Sequence, residues 1–590
     1  MASKMVQLQE ILDQDNLVKQ LLHLYDQWAL QRFEKEEEWK ELRNYLFATD
    51  TTTTTNSKLP WKNTTTIPKL TQIRDNLHAN YMDALFPNDD WLRWEGYSQQ
   101  DVVKEKRKAI EAYMKNKCRE SGFREVISRC LYDYIDYGNA FGDVVWANEY
   151  HIDPITKERV TTYVGPKAVR TSPFDLTFNP IAISFKDSPK FTRYLKSTGE
   201  LKKELETRPD LQYNPAVFAK FRDTRGRLMN FKREDINKYD SLRVDGFGSY
   251  YEYLQSGYVE LLEFEGTIYD EDRDVLLENQ IITIVDRLYV LRQIPNPSWF
   301  GKDTKEHVGW RDRPDNLYGM GPLDNLVGMQ YRLDHLENLK ADAMDLAVQP
   351  PVKIVGDVDP FTWQPFEQIH VPEDGDVAPL FSNSNVFQVN NEIGALIALM
   401  EEMAGAPKEA MGIRSPGEKT AFEVQQLQNA AGRIFQHKIN KFEIEFLEPL
   451  LNNMLEVARR NMDSADLVRV MDDDLGVATF MSITKDDITA KGKLRPIGSR
   501  HYATRAQLLQ NLAGIFNSPI GPMIAPHVSG KKLSSLIEDY MGFEQYDFIK
   551  DNALIFEQAE TQRLVSQVQQ TLQMEEMTPV EESMLGGVGG

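Results

Sequence analysis

GMGPLDNLVGMQYRLDHLENLKADAMDLAVQPP, residues 319–351, is the stretch on which the architecture turns. Leu323, Leu326, Val327, Leu333, Leu336 and Leu339 form an apolar stripe, while Asp324, Arg332, Glu337, Lys340 and Asp342 occupy other faces. About 28 residues in this pattern make a helix of roughly 42 Å, ended by Pro350 and Pro351. A second stripe follows in NNEIGALIALMEEMAG (390–405), with Ile393, Leu396, Leu399, Met400 and Met403 on one side until Gly405 and Pro407 interrupt it. Between them, residues 350–389 are rich in proline and glycine and carry short β-type runs such as VKIV and FEQIHV. Two amphipathic helices therefore flank a small β-leaning insertion.

After the second helix comes GIRSPGEKT (412–420), close to a phosphate-binding loop but with Glu418 inserted before Lys419. A phosphate loop follows a buried strand and opens a helix, whereas here a helical pattern precedes it and a carboxylate stands where phosphates would sit. The residues fit a helix start better: Ser415 at the N-cap, Pro416 at N1 and Glu418 at N3. The helix they open carries Val424, Leu427, Ala431, Ile434, Phe435, Phe442, Phe446, Leu447, Leu450 and Leu451, with Pro449 expected to kink it. Gly412 and Gly417 leave a short loop bearing Arg414, with Lys408 and Lys419 nearby.

Upstream, residues 5–47 have helical spacing, the Thr-rich stretch 49–68 is expected to be a solvated linker, and residues 69–150 are expected to return to helix, with the aromatic stretch LFPNDDWLRWEGY (85–97) between helical runs. Trp91 and Trp94 are assigned to core packing rather than to base stacking. From 160 to 300 the periodicity shortens to that of strands. The acidic stretch Asp270–Asp274 lacks the glycine and the glutamate of a calcium loop, because Val275 and Ile281 stand in their places, and is expected to be a hairpin turn.

The chain has 590 residues, 41% hydrophobic, which predicts several globular domains. A net charge of −22 argues against a simple basic DNA-binding module. Two cysteines, Cys118 and Cys130, exclude a disulfide framework and suit assembly in a reducing compartment. Neither a signal-peptide core nor a membrane-length apolar run occurs, so a soluble protein is expected.

With this order assembled, the chain resembles the portal, or head-to-tail connector, proteins of tailed bacteriophages, most closely those of short-tailed phages. The likeness is carried by LYGMGPLDNLVGMQYRLDHLENLKADAMDLAVQPPV (317–352), EMAGAPKEAMGIRSPGEKTAFEVQQLQNAAG (402–432) and VDRLYVLRQIPNP (285–297), and extends over roughly residues 70–570. It implies a mainly helical α+β portal fold assembled as a ring, usually of twelve subunits. Residues 1–320 would be the wing, 321–349 the first stem helix, 350–389 the clip, 390–411 the second stem helix and 412–418 the tunnel loop. Residues 419–499 would give a long wing helix and strands, 500–570 the helical crown and 571–590 a disordered tail.

The resemblance further implies a virion protein at one capsid vertex, assembled in the host cytoplasm, that catalyses nothing and needs no cofactor or metal. Its partners would be further copies of itself, the major capsid protein, the terminase motor, the tail adaptor and the double-stranded DNA in its channel, with no membrane. Arg414, Lys419 and Lys408 would touch the passing DNA, and Phe361, Trp363 and Phe366 of the clip would dock the adaptor. A channel built from twelve copies of a −22 chain repels phosphates and lets DNA slide. Two other readings compete. One is a capsid or tail subunit that never meets DNA; the other is a packaging nuclease or ATPase, for which Asp472–Asp474 is the carboxylate run to consider.

Overall fold

The computed structural model describes residues 16–47, 65–86, 91–97, 104–155, 157–229, 257–271, 273–348, 352–356, 371, 373, 375–379, 388–404, 434–463, 465–471 and 478–496. It divides into two compact units, Met1–Asp466 with Ser482–Ser499, and Leu467–Met481 with Arg500–Gly590. The fold class is α+β.

Among the described residues, four helices open the first unit: α1 (Asn16–Phe47), α2 (Lys69–Leu85), α3 (Lys104–Glu120) and α4 (Phe123–Asp136). The helical reading of 69–150 fails beyond Asp136, and the aromatic stretch 85–97, placed between helical runs, holds a strand. Residues Leu92–Gly96 form strand β1, and beyond Asp136 the chain turns at Gly138 (φ 68°) into strand β2 (Asn139–Ile152). The first six residues of β2 are all buried, so they lack the alternation that marks a strand with one wet face. Strand β1 pairs with β16 (Gly492–Pro496), some 400 residues away in the chain. Trp94 is buried on it, and Trp91 stacks on Phe123 with ring centroids 5.6 Å apart, so both tryptophans serve packing.

The region 160–300, expected to be strands, holds a five-stranded antiparallel meander but also two helices, Thr198–Thr207 and Pro215–Met229, that the reading missed. The meander's members are β4 (Leu176–Phe178), β5 (Lys190–Ser197), β6 (Tyr258–Asp270), β7 (Val275–Val285) and β8 (Tyr289–Pro295). Alternation in β6 sends Leu262 and Phe264 to one face, where Leu17, Val18, Leu21 and Tyr25 of α1 cover them. Val259 and Leu261 point the other way, onto helices α5 (Thr198–Thr207) and α6 (Pro215–Met229). The acidic stretch is the turn of the β6–β7 hairpin, with Asp270 opposite Val275. A second sheet has the order β3 (Arg159–Thr171), β2, β9 (Glu306–Gly309), followed by the small hairpin β10 (Arg311–Arg313) and β11 (Asn316–Met320).

Against β2 lies the helix of residues 434–461, which continues into α9 (Glu448–Asn461). The kink expected at Pro449 takes the form of a π turn over Glu443–Leu447, in which Glu448 N–H donates to Glu443 O. The widened turn accommodates the donor that proline lacks. Phe442, Phe446, Leu447, Leu450 and Leu451 are buried as the stripe predicts, and Gly142 of β2 leaves the space that Phe446 and Leu450 fill. A short helix α10 (Lys485–Ile488) precedes β16. The second unit contributes to the described residues most of one strand pair, β14 (Asp466–Met471) with β15 (Ala478–Ile483).

Candidate functional site

Between β11 and the helix of residues 434–461 the chain runs through α7 (Val327–Val348), a small hairpin and α8 (Gln388–Met403). The hairpin pairs β12 (Val352–Val355) with β13 (Asp376–Pro379), Val352 opposite Pro379. The two helices lie against each other, bridged at the surface by Arg332 and Glu392 at 3.1 Å. Two helices around a β-leaning insertion were expected; of its two named runs VKIV is β12, and FEQIHV lies, except for Val371, outside the described residues. The first helix begins at Val327 rather than 321, because Gly321 is held in a backbone junction and Asp324–Leu326 forms a 3-10 turn.

The apolar stripes are covered only in part. Leu333 and Leu336 of α7, and Ile393 and Met400 of α8, are buried. Leu339, Met344 and Leu346 of α7, and Leu399 and Met403 of α8, are each between 42% and 48% exposed. Beyond them Ile354 and Val355 of the hairpin are exposed too. Positions that the spacing predicts as core are thus uncovered toward the hairpin on α7 and toward the body end on α8.

Two devices hold the root of this helix pair. One is a crossing of main chains at Gly138, Gly309, Gly319 and Gly321. There Asn139 Oδ1 accepts from Gly319 N (2.7 Å), and Trp310 N donates to Gly138 O (2.9 Å). Asp324 then accepts from Gly321 N and from Lys35 of α1, both at 3.0 Å. The other device is the segment Thr65–Lys69. Asn338 of α7 takes both sides of the Thr65 main chain, accepting from its N–H (2.7 Å) and donating to its carbonyl (3.1 Å). Asp334 Oδ1 accepts from Ile67 N (3.0 Å) and Gln330 Nε2 donates to Ile67 O (2.6 Å). Lys69 reaches Glu401 of α8 at 2.5 Å, with both side chains buried. The stretch read as a solvated linker therefore ends seated on the helix pair. Burial pushes the Asp334 carboxyl up to about 6, against the bonds from Ile67 and Gln330 that favour its charge.

Lys408, Arg414 and Lys419, and the clip residues Phe361, Trp363 and Phe366, lie outside the described residues, as do Asp472–Asp474 and residues 500–590. The search for apolar stripes missed Gln330, Asp334 and Asn338, although their spacing (i, i+4, i+8) was visible as a polar ladder along the same helix.

Ser128 and His78 form the pair that most resembles a nucleophile with its base. His78 Nε2 is 2.9 Å from Ser128 Oγ and 3.1 Å from the Ser128 carbonyl. A carbonyl only accepts, so Nε2 carries the proton and cannot take one from the hydroxyl. The ring lies flat on Tyr132, 3.8 Å between centroids, and the pair clips α2 to α4. Among the described residues no group of three or more His, Cys, Asp or Glu is placed to hold a metal ion, and no helix is long and apolar enough to cross a membrane. The chain matches no protein-family model and no curated protein.

Proposed function

We propose that this protein is the portal subunit of a tailed bacteriophage, a ring-forming channel component that passes DNA and docks first the packaging motor and then a tail adaptor. The observation that carries the reading is the helix–hairpin–helix excursion. The chain leaves a β-rich body at Met320, runs along α7, turns through β12 and β13, and returns along α8 before residues 434–461 rejoin the body on β2. Its uncovered apolar positions suit a neighbouring copy on the outside of the pair. Covering five half-exposed side chains contributes about 1 kcal/mol each toward such a contact.

In this reading residues 16–320 and 434–496 supply the wing, α7 and α8 the stem, β12–β13 the base of the clip, and residues 500–570 the crown. The test is the mass of the purified chain. A ring of twelve 68.0 kDa copies gives a species of about 816 kDa in mass photometry, flared and perforated in negative stain. A compact dimer that hydrolyses ATP excludes the portal. An extended tube or sheet favours the tail or capsid subunit.

The loop cations give a second prediction. Arg414→Ala with Lys419→Ala is expected to leave ring mass unchanged and to reduce DNA retention in packaged heads. Unchanged packaging and retention would remove the tunnel-loop assignment.

A further inference from the structure

An α-helix advances about 6.0 Å in four residues, and an extended chain about 6.6 Å in two. Polar side chains four apart on a helix therefore come into step with alternate peptide units of an extended segment laid along it. Asn338 and Asp334 use this match, on Thr65 and Ile67 in turn, and Gln330 adds a bond to the Ile67 carbonyl. All three side chains are buried, so their bonds to the segment are shielded from water. Two residues on, contact passes from α7 to α8 through the Lys69–Glu401 pair. The five residues thus span both helices, main chain to one and side chain to the other.

We propose that residues 65–68, with Lys69 at the first position of α2, are a releasable strap that fixes α8 against α7, and that unseating it loosens the helix pair while the sheets stay folded. The grip is mostly polar. Among the described side chains of α8, Ile393 and Met400 are the large aliphatic ones that are buried, so the apolar seam alone holds that helix weakly. The seat is also imperfect: Thr66 Oγ1 and Gln330 Oε1 are buried with no hydrogen-bond partner among the described residues. A seat that leaves polar atoms bare is not a deep minimum, and competing arrangements lie close to it. The ion pair gives the lock an all-or-none character. Removing one buried charge takes from the other its ion-pair partner at 2.5 Å, whereas releasing both to water returns their hydration together.

The strap stands independently of ring formation, because its test reads local opening within each chain. Hydrogen–deuterium exchange by mass spectrometry on the full-length protein, in the assembly it forms, compares wild type with Lys69→Met and with Asn338→Ala. Both variants are expected to speed exchange about tenfold in 388–404 and in the outer half of 327–348, with 258–295 unchanged. The charge swap Lys69→Glu with Glu401→Lys is expected to restore slow exchange. Unchanged exchange in 388–404 in both single variants overturns the strap. Loss of protection throughout 258–295 as well overturns it too, since the segment would then be ordinary core. A swap as loose as Lys69→Met overturns the ion pair as the lock.

Discussion

Lys305→Met is expected to destabilise the β-rich body by about 3–5 kcal/mol, the cost of stranding buried charge, measured as a lower midpoint of urea unfolding followed by tryptophan fluorescence. Lys305 lies between the two sheets with its ammonium 2.5 Å from Glu265, 3.4 Å from Asp143 and 3.9 Å from Glu263. Two of these carboxylates have other partners. Glu263 pairs with Arg292, and Asp143 accepts from Thr304 Oγ1 at 2.5 Å and from Val144 N at 2.7 Å. Lys305 is the cation within salt-bridge distance of Glu265, whose carboxyl burial pushes up to about 7. The three carboxylates in turn hold the Lys305 ammonium firmly protonated. Methionine keeps most of the stem volume and removes the charge, so the loss is electrostatic.

That origin predicts a pH dependence of definite sign. A carboxyl whose folded value lies above its unfolded value favours the fold when protonated. Its contribution is fully present below the unfolded value, near 4.5, and is lost as pH rises through about 7. Without Lys305 the carboxyl moves higher still. The gap between variant and wild type is therefore expected to be widest at pH 8 and to narrow as pH falls from 7 toward 5, where Glu265 takes up a proton. A gap of equal size from pH 5 to 8 would mean that the methionine fails by packing. Lys305→Arg, which keeps the cation, serves as the control.

The parts of the fold visible in the sequence were those with a local period. The stripes of α7 and α8, the helical run through Leu450 and the acidic hairpin turn each follow from spacing within a dozen residues. Strand β2 was hidden because both its faces are buried at the start, which erases alternation. The β1–β16 pair was hidden for a different reason: nothing local in LRWEG says that its partner is GKLRP. The grip on the helix pair was also unread, since a polar ladder on α7 has meaning only once the extended segment beside it is in place. Glycines 319 and 321 belong to the stretch that carried the family resemblance, yet their physical reason lies at Gly138, far away in the chain. The loop and clip side chains named for DNA and adaptor came from the resemblance, and their positions fall outside the described residues.

Gly138→Ala is expected to destabilise the body by about 2–5 kcal/mol and to disturb the helix pair as well, because two separate penalties fall on a residue at its root. Gly138 has φ of 68°, a left-handed conformation that costs an L-residue about 1–2 kcal/mol. A Cβ there also meets the nitrogen of Gly321 and the carbonyl carbon of Met320 far inside contact distance, and lies 2.8 Å from Gly321 Cα. These neighbours are main chain, so no rotamer change relieves the clash, and moving them costs about 1–3 kcal/mol more. Any shift of Gly321 pulls on Asp324, which holds both Gly321 N and Lys35, and through it on the first turn of α7. The variant should therefore show a lower urea midpoint together with faster amide exchange at 321–335. Gly257→Ala separates the two penalties, because Gly257 has φ of 74° and open space around a Cβ. That control is expected to lose only the conformational part, about 1–2 kcal/mol, with exchange at 321–335 unchanged. If Gly138→Ala costs no more than Gly257→Ala, the crossing of main chains does not anchor the helix pair.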